Sequence, residues 1–165
     1  MLYLVRHAIA AEPGPEYPDD SRRPLTAHGI ERFRECVAGL AAAAIEIDEI
    51  VTSPFVRARQ TAGLLAEGLA GRPRITTLRA LAVGGSPAEV IDGLARGVQA
   101  RSMALVGHMP GIGDLTARLV GARRGFDFRK GAIACVELDG VPPRGPGTLR
   151  WFMPPRLLRR LGGGT

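Results

Sequence analysis

Cysteine is scarce in this sequence, and its placement argues against a metal site and against a disulfide framework. The chain of 165 residues has two cysteines, Cys36 and Cys135. They lie far apart and form neither a CxxC pair nor a Cys/His spacing typical of zinc ligands. We therefore predict two buried free thiols, and hence a reducing, cytoplasmic environment.

Long apolar runs are also missing. No segment reaches the ~20 apolar residues that a transmembrane helix needs. Arg6 interrupts the opening apolar run, which lacks the order of basic region, apolar core and cleavage site that marks a signal peptide. We expect a soluble cytoplasmic protein with no membrane partner.

Lysine and aromatic residues are few. Lys130 is the only lysine, so arginine supplies nearly all the cations behind the net charge of +6. That balance favours anionic partners. Aromatic residues make up 5% of the chain, which leaves few side chains to stack on bases and makes nucleic acid an unfavoured partner.

Short apolar runs alternate with longer helical patterns through most of the chain. This alternation predicts βα units with parallel strands, and so the α/β class. Strands are predicted at residues 1–5, 49–52, 74–77 and 103–107, and helices after a cap at Thr26 and at about 54–69, 87–96 and 111–120. The proline-rich segment from Ala11 to Pro24 is predicted to be a loop.

The alternation of predicted strands and helices stops near the C-terminus. Two β-like runs, at 132–138 and 148–153, have no helix between them, which predicts an antiparallel hairpin with a long loop. A short basic helix is expected after Pro154-Pro155. At this length we predict one domain, residues 1–158, followed by a disordered tail at 159–165.

Three of the predicted strands end on residues suited to an anion. Arg6 and His7 follow the first strand, the segment Ser53 to Arg57 follows the second, and His108 follows the fourth. Ligands of open α/β sheets bind at the edge where parallel strands end. We therefore expect two histidines and two arginines to converge there.

The segment after the second strand has the form of a helix start. Ser53 suits the N-cap and Pro54 the first helical position, which places Arg57 near exposed backbone N–H groups. A helix N-terminus combined with arginine favours phosphate. His7 and His108 predict no metal site, because neither motif includes a carboxylate or a third histidine, and no cofactor is expected.

Four segments, in this order, resemble the histidine phosphatase superfamily. They are Leu4–Ala8, Arg23–Thr26, Ser53–Thr61 and Val106–Pro110. The length of the chain and its ending, from Lys130 to Pro155, are similar to the compact SixA-type phosphohistidine phosphatases. The resemblance implies a phosphoglycerate-mutase-like fold, a three-layer α/β/α sandwich whose central sheet is mostly parallel with an antiparallel strand near the C-terminus.

The resemblance also implies roles for four residues. His7 matches the histidine that is transiently phosphorylated, while Arg6, Arg57 and His108 match the groups that hold the phosphoryl oxygens. His7 must attack as the neutral ring, and nearby arginines favour that form by opposing protonation. His108 is more useful protonated once a dianion is bound.

Other polar residues are weaker candidates. Ser53 and Arg23 are expected to help bind the substrate, although Ser53 is also explained as a helix cap and Arg23 as a solvated charge. His28 lies one turn into a helix beside Gly29, and we do not expect it to act in catalysis.

The sequence departs from larger members of the superfamily in one respect. They carry a glutamate general acid after the third strand, whereas the stretch Leu78–Gly85 here has no carboxylate. An alkoxide leaving group needs a proton, which is worth roughly 10²–10⁴ in rate, but the imidazole of phosphohistidine can be protonated in solution. Glu12, Asp19, Asp20 or Glu89 could still supply the acid.

The predicted function is hydrolysis of protein-borne phosphohistidine through a phosphorylated His7, without a metal. The short connection from His7 to Thr26 leaves little sequence for a lid, and an open basic rim suits a phosphorylated protein. Two alternatives remain. One is a phosphatase for a small phosphate ester or anhydride, and the other is a non-catalytic module that binds phosphate or nucleic acid.

Overall fold

The architecture is a mixed sheet between two layers of helices, seen in a computed structural model that describes residues 1–95 and 100–163. Within these residues the sheet has six strands in the order β3-β2-β4-β1-β5-β6. The strands are β1 (Leu2–Arg6), β2 (Glu49–Thr52), β3 (Arg74–Thr77), β4 (Met103–Gly107), β5 (Ile133–Glu137) and β6 (Thr148–Met153).

The helices connect the strands as the alternation in the sequence predicts. They are α1 (Ala27–Ala42), α2 (Val56–Gly68), α3 (Pro87–Ala95), α4 (Gly111–Val120) and α5 (Pro155–Leu161). Thr26 caps α1, because its hydroxyl accepts a hydrogen bond from the Gly29 N–H. The predicted end of α3 at Arg96 lies outside the described residues.

Alternating side chains of β1 separate the two halves of the core. Tyr3 and Val5 pack in one cluster with residues of α1, α2 and α5, and Leu2 and Leu4 pack in the other with residues of α3 and α4. This period-2 alternation is what a strand buried on both faces requires. The predicted three-layer α/β/α sandwich is confirmed.

Strand directions bring the candidate residues to one edge of the sheet. β1, β2, β3 and β4 pair in parallel, whereas β5 is antiparallel to both β1 and β6. The predicted hairpin near the C-terminus is therefore confirmed. The carboxyl ends of β1, β2 and β4 share an edge with the start of β5.

Two boundaries differ from the sequence-based expectation. α2 begins at Val56 and its N-cap is Phe55, so Ser53 does not cap it; the Ser53 hydroxyl contacts a histidine instead. The predicted tail from residue 159 is wrong for its first residues, because α5 continues to Leu161. Leu158 is fully buried and Arg159 contacts Glu35 of α1, which holds this helix on the domain.

Two further features bear on the expected environment. Cys36 and Cys135 are buried free thiols, as predicted. In residues 1–95 and 100–163, no helix is both long and apolar enough to cross a membrane.

Candidate active site

His7 lies directly after β1 and is almost completely buried. Its Nδ1 is 2.7 Å from the carbonyl oxygen of Ala8, which can only accept, so Nδ1 carries the proton and donates it. Nε2 is therefore the ring nitrogen with a free electron pair. The sheet edge thus presents an imidazole whose tautomer is set by the backbone.

Arg57 lies in the first turn of α2, as predicted, and its guanidinium has three partners. Nε donates to His7 Nε2 at 3.3 Å, while the two terminal nitrogens donate to the backbone oxygen of Asp20 at 2.6 Å and to its carboxylate at 2.9 Å. Arg57 is only 3% exposed. This guanidinium therefore holds a carboxylate beside the histidine.

His108 follows β4 and faces His7. The centres of the two imidazole rings are 5.0 Å apart. Nε2 of His108 lies 2.8 Å from the Ser53 hydroxyl oxygen, and the Phe55 ring packs 4.9 Å from the imidazole. Nδ1 is buried and has no hydrogen-bond partner within the described part of the chain.

Ser53 sits where β2 ends and is fully buried. Its hydroxyl oxygen accepts a hydrogen bond from the Phe55 N–H at 3.3 Å, and the hydroxyl proton can be donated to His108 Nε2. A serine that donates to Nε2 would place the proton of neutral His108 on Nδ1. The sequence predicted that this serine binds substrate or caps a helix, and it did not reveal the contact with His108.

The Arg6 guanidinium is held by a backbone oxygen. One of its terminal nitrogens donates to the backbone oxygen of Phe128, and Nε is buried without a partner among the described residues. A half-buried guanidinium with an unsatisfied N–H next to His7 is suited to receive an anionic oxygen.

Both histidines are neutral in the free protein. Burial, together with the charges of Arg57, Arg6 and Lys130, lowers the pKa of His7 from 6.5 to about 4, although the hydrogen bond to Ala8 opposes the shift. Burial and the neighbouring His7 and Arg57 lower the pKa of His108 to about 3. A neutral His7 retains the electron pair that a nucleophile needs.

The loop before α1 contributes Asp20 to the site. Its carboxylate also accepts from Arg23, with a nitrogen–oxygen distance of 2.7 Å. Arg23 and Arg57 therefore bind the same carboxylate. Partial burial tends to raise the pKa of Asp20, but hydrogen bonds from Arg23 and Arg57 outweigh it and hold the pKa below its usual range. Asp20 is therefore a carboxylate at neutral pH.

The other carboxylates considered as acids have partners of their own. Glu89 accepts from the Ser86 N–H and hydroxyl in a capping box at α3. Asp19 accepts from Ser21, and Glu12 lies 3.4 Å from Lys130. Of the carboxylates proposed from the sequence, Asp20 is the one that contacts a residue at the histidine pair.

The described residues include no group of three or more histidines, cysteines or carboxylates arranged to hold a metal ion. The chemistry available at this edge is that of an imidazole nucleophile, a second imidazole and two guanidiniums.

Comparison with known proteins identifies the family. Residues 2–82 match the model of the histidine phosphatase superfamily (branch 1). The phosphohistidine phosphatase SixA of Escherichia coli K12 is 31% identical over 164 residues, which cover 96% of each protein. The chain belongs to the histidine phosphatase superfamily. A solved structure of the protein histidine phosphatase SixA complexed with tungstate superposes with a TM-score of 0.82 at 32% identity, and the match covers 95% of this chain and 98% of that one.

A further relative is an uncharacterised protein of Picosynechococcus, 37% identical over 115 residues, or 68% of each chain. With SixA similar along nearly its whole length, this histidine phosphatase belongs to the SixA-type branch and has the phosphoglycerate-mutase-like fold. It is accordingly a phosphatase.

Proposed function

We propose that this phosphatase removes the phosphoryl group of phosphohistidine on a protein through a phosphorylated His7. One observation carries the proposal. The free electron pair of His7 lies on Nε2, and this atom lies 3.3 Å from the Arg57 Nε. The centres of the His7 and His108 rings are 5.0 Å apart. A nucleophilic nitrogen flanked by donors is what transfer of a phosphoryl group requires.

The reaction has two displacements. His7 Nε2 attacks phosphorus as the bond from phosphorus to the substrate imidazole breaks, and that imidazole takes a proton from solvent as it leaves. Water then attacks phosphorus, the bond to Nε2 breaks, and inorganic phosphate is released. Arg6, Arg57 and His108 stabilise the charge on the phosphoryl oxygens in both steps.

The carboxylate at the site supports phosphohistidine as the substrate. Asp20 is ionised because two guanidiniums hold it, so it is a poor proton donor. A substrate that leaves as imidazole tolerates this, whereas an alkoxide does not. The name of the relative SixA refers to the same class of substrate.

A small phosphate ester is a second candidate, favoured by the position of Asp20. Phosphate that binds Arg57 would compete with the Asp20 carboxylate for the same N–H groups. A carboxyl released from Arg57 would lose one source of its lowered pKa and could then donate a proton.

Leaving-group dependence separates the two candidates. We expect rates on aryl phosphates to fall steeply as the pKa of the phenol rises, alkyl phosphates to be nearly inert and phosphohistidine to be hydrolysed well. The Asp20→Asn variant should retain most of its activity on phosphohistidine. A shallow dependence combined with a large loss in Asp20→Asn would identify Asp20 as an acid and support the small-ester function.

The contact from Ser53 to His108 predicts a change of tautomer. In Ser53→Ala the Nδ1–H form of His108 loses its partner, and kcat/KM should fall by roughly 3- to 10-fold, the value of one buried hydrogen bond. The ¹⁵N resonances of His108 should report the shift of the proton from Nδ1 towards Nε2. Ser53→Thr, which keeps a hydroxyl, should restore both readouts; unchanged resonances in Ser53→Ala would exclude the positioning role.

The lowered pKa values predict a flat titration. His7 and His108 should stay neutral from pH 7.5 down to about pH 5, since their pKa values are about 4 and about 3, and should gain protons only below that range. The C2–H resonances of both rings, followed by NMR, check this. A midpoint near 6.5 for His7 would contradict the burial and charge that the site imposes.

A further inference from the structure

A large cavity lies beside the chain segment that carries His7, on the side of α1 and α5. Its volume is about 790 Å³, and its walls come from the first turns of α1, the segment before β5 and the start of α5. Phe33 lies at its base and is buried in the core. Arg6, Ala8 and Ile9 also line it, but His7 and His108 do not, so the cavity extends beyond the proposed active site.

The walls of this cavity, which we call the basic groove, are strongly cationic. Six side chains carry positive charge, those of Arg6, Arg32, Arg129, Lys130, Arg156 and Arg159. Two carboxylates offset them: Glu35 lies 3.6 Å from Arg32 and 3.1 Å from Arg159, and Glu12 lies 3.4 Å from Lys130. The groove therefore holds an excess of positive charge.

Two of these cations are free to bind. Arg129 and Arg156 are exposed, and within the described parts of the chain no carboxylate lies within 4.0 Å of either. Arg32, Arg159 and Lys130 already lie near a carboxylate, which an incoming acidic group would have to displace. Exposed and unpaired guanidiniums can bind an incoming carboxylate directly.

The groove reaches the end of β1, where the chain carries His7. Arg6 and Ala8 line it and are the two neighbours of His7 in the chain. The wall formed by α1 is fixed there by close packing, because a Cβ at Gly29 would lie 2.0 Å from the Ile9 backbone oxygen. A chain segment whose phosphorylated side chain reaches His7 can therefore continue into the groove.

We propose that the basic groove binds an acidic segment of the phosphorylated protein, beside the residue that carries the phosphoryl group. The inference rests on the proposed function and adds a determinant of substrate choice. Its position beside the chain segment that carries His7 favours a polypeptide over a separate ligand, and its charge selects glutamate and aspartate. A nucleotide fits less well, because the aromatic ring in the described lining, Phe33, is buried and offers no exposed face for a base.

Charge reversal at the two free arginines tests the groove without touching the histidine pair. The probe is a fluorescein-labelled peptide with a central histidine followed by a run of glutamates, compared with its glutamine counterpart. Wild-type protein should bind the glutamate peptide more tightly. Arg129→Glu combined with Arg156→Glu should weaken that binding by roughly tenfold, since reversal replaces attraction with repulsion at two sites.

The matched control carries the same change in net charge elsewhere. Arg123 and Arg144 are exposed on loops that follow α4 and β5, and Arg123→Glu with Arg144→Glu should leave peptide binding unchanged. If the control variant lost as much peptide binding as the groove variant, the binding would reflect only the overall positive charge of the protein. Loss of ATP binding in the groove variant, with peptide binding intact, would assign the groove to nucleotides. Either result would overturn the proposal.

Turnover separates this proposal from the proposed function. With the peptides phosphorylated on histidine, the groove variant should raise KM for the glutamate peptide and leave free phosphohistidine unaffected. Wild-type protein that hydrolyses free phosphohistidine but does not distinguish the two peptides would refute the groove alone. Wild-type protein that binds the glutamate peptide through the groove but hydrolyses no phosphohistidine would refute the proposed function alone.

Discussion

Replacing Arg57 with alanine is expected to lower kcat/KM for phosphohistidine by about 10²-fold or more. A hydrogen bond to a charged group is worth about 1.5–3 kcal/mol, and the fork of Arg57 can offer two to the phosphoryl oxygens. If these bonds strengthen in the transition state, kcat falls as well as kcat/KM. Steady-state kinetics with a phosphohistidine peptide measure the effect.

Three variants show where such a loss arises. Arg59→Ala removes an exposed arginine from the same helix and should change little. Arg57→Lys keeps the charge but not the fork, and should restore activity only in part. Asp20→Asn weakens the contact that Arg57 makes with the loop; if it reproduced the full loss, the role of Arg57 would be to hold that loop and not the phosphoryl group.

The sheet and the positions of its strand ends could be predicted from the local pattern of the sequence. β1, β2 and β4 are short apolar runs, each followed by a change to polar or helix-starting residues. Parallel pairing then dictates that Arg6, His7 and His108 reach one edge, because connections through helices return every strand in the same direction. This is a property of periodicity and connection length, which the sequence displays directly.

The partners of the site residues could not be predicted in the same way. The contact of Asp20 with Arg57 spans 37 residues and depends on how an irregular loop folds back over α2. Ser53 followed by Pro54 favours a helix cap locally, yet the neighbouring strand β4 brings His108 within 2.8 Å of the hydroxyl. Tertiary contact decides such cases, because the local sequence does not show which residue of a neighbouring strand a side chain will meet.

The extent of the C-terminal helix could not be predicted for the same reason. Gly162, Gly163 and Gly164 favour disorder from composition, but the residues before them belong to α5. A Cβ at Gly39 of α1 would lie 1.9 Å from the Leu158 backbone oxygen, so the two helices pack unusually closely. The local sequence of residues 159–161 does not indicate that packing.

The His7→Ala variant should have the largest effect of all. Without Nε2 there is no atom to accept the phosphoryl group, so hydrolysis should fall to the uncatalysed background while the remaining donors still bind phosphate. Isothermal titration with inorganic phosphate and circular dichroism provide the controls for binding and folding. Substantial turnover by a folded His7→Ala protein would require a different nucleophile.

Trapping the intermediate tests the central claim most directly. Wild-type protein is mixed briefly with a ³²P-labelled phosphohistidine peptide, denatured in alkali, digested and analysed by mass spectrometry. The label should be stable to alkali, lost in acid and located on His7, and His7→Ala should carry none. Label on a serine, threonine or aspartate, or turnover in wild-type protein with no labelled enzyme at any time, would contradict the mechanism.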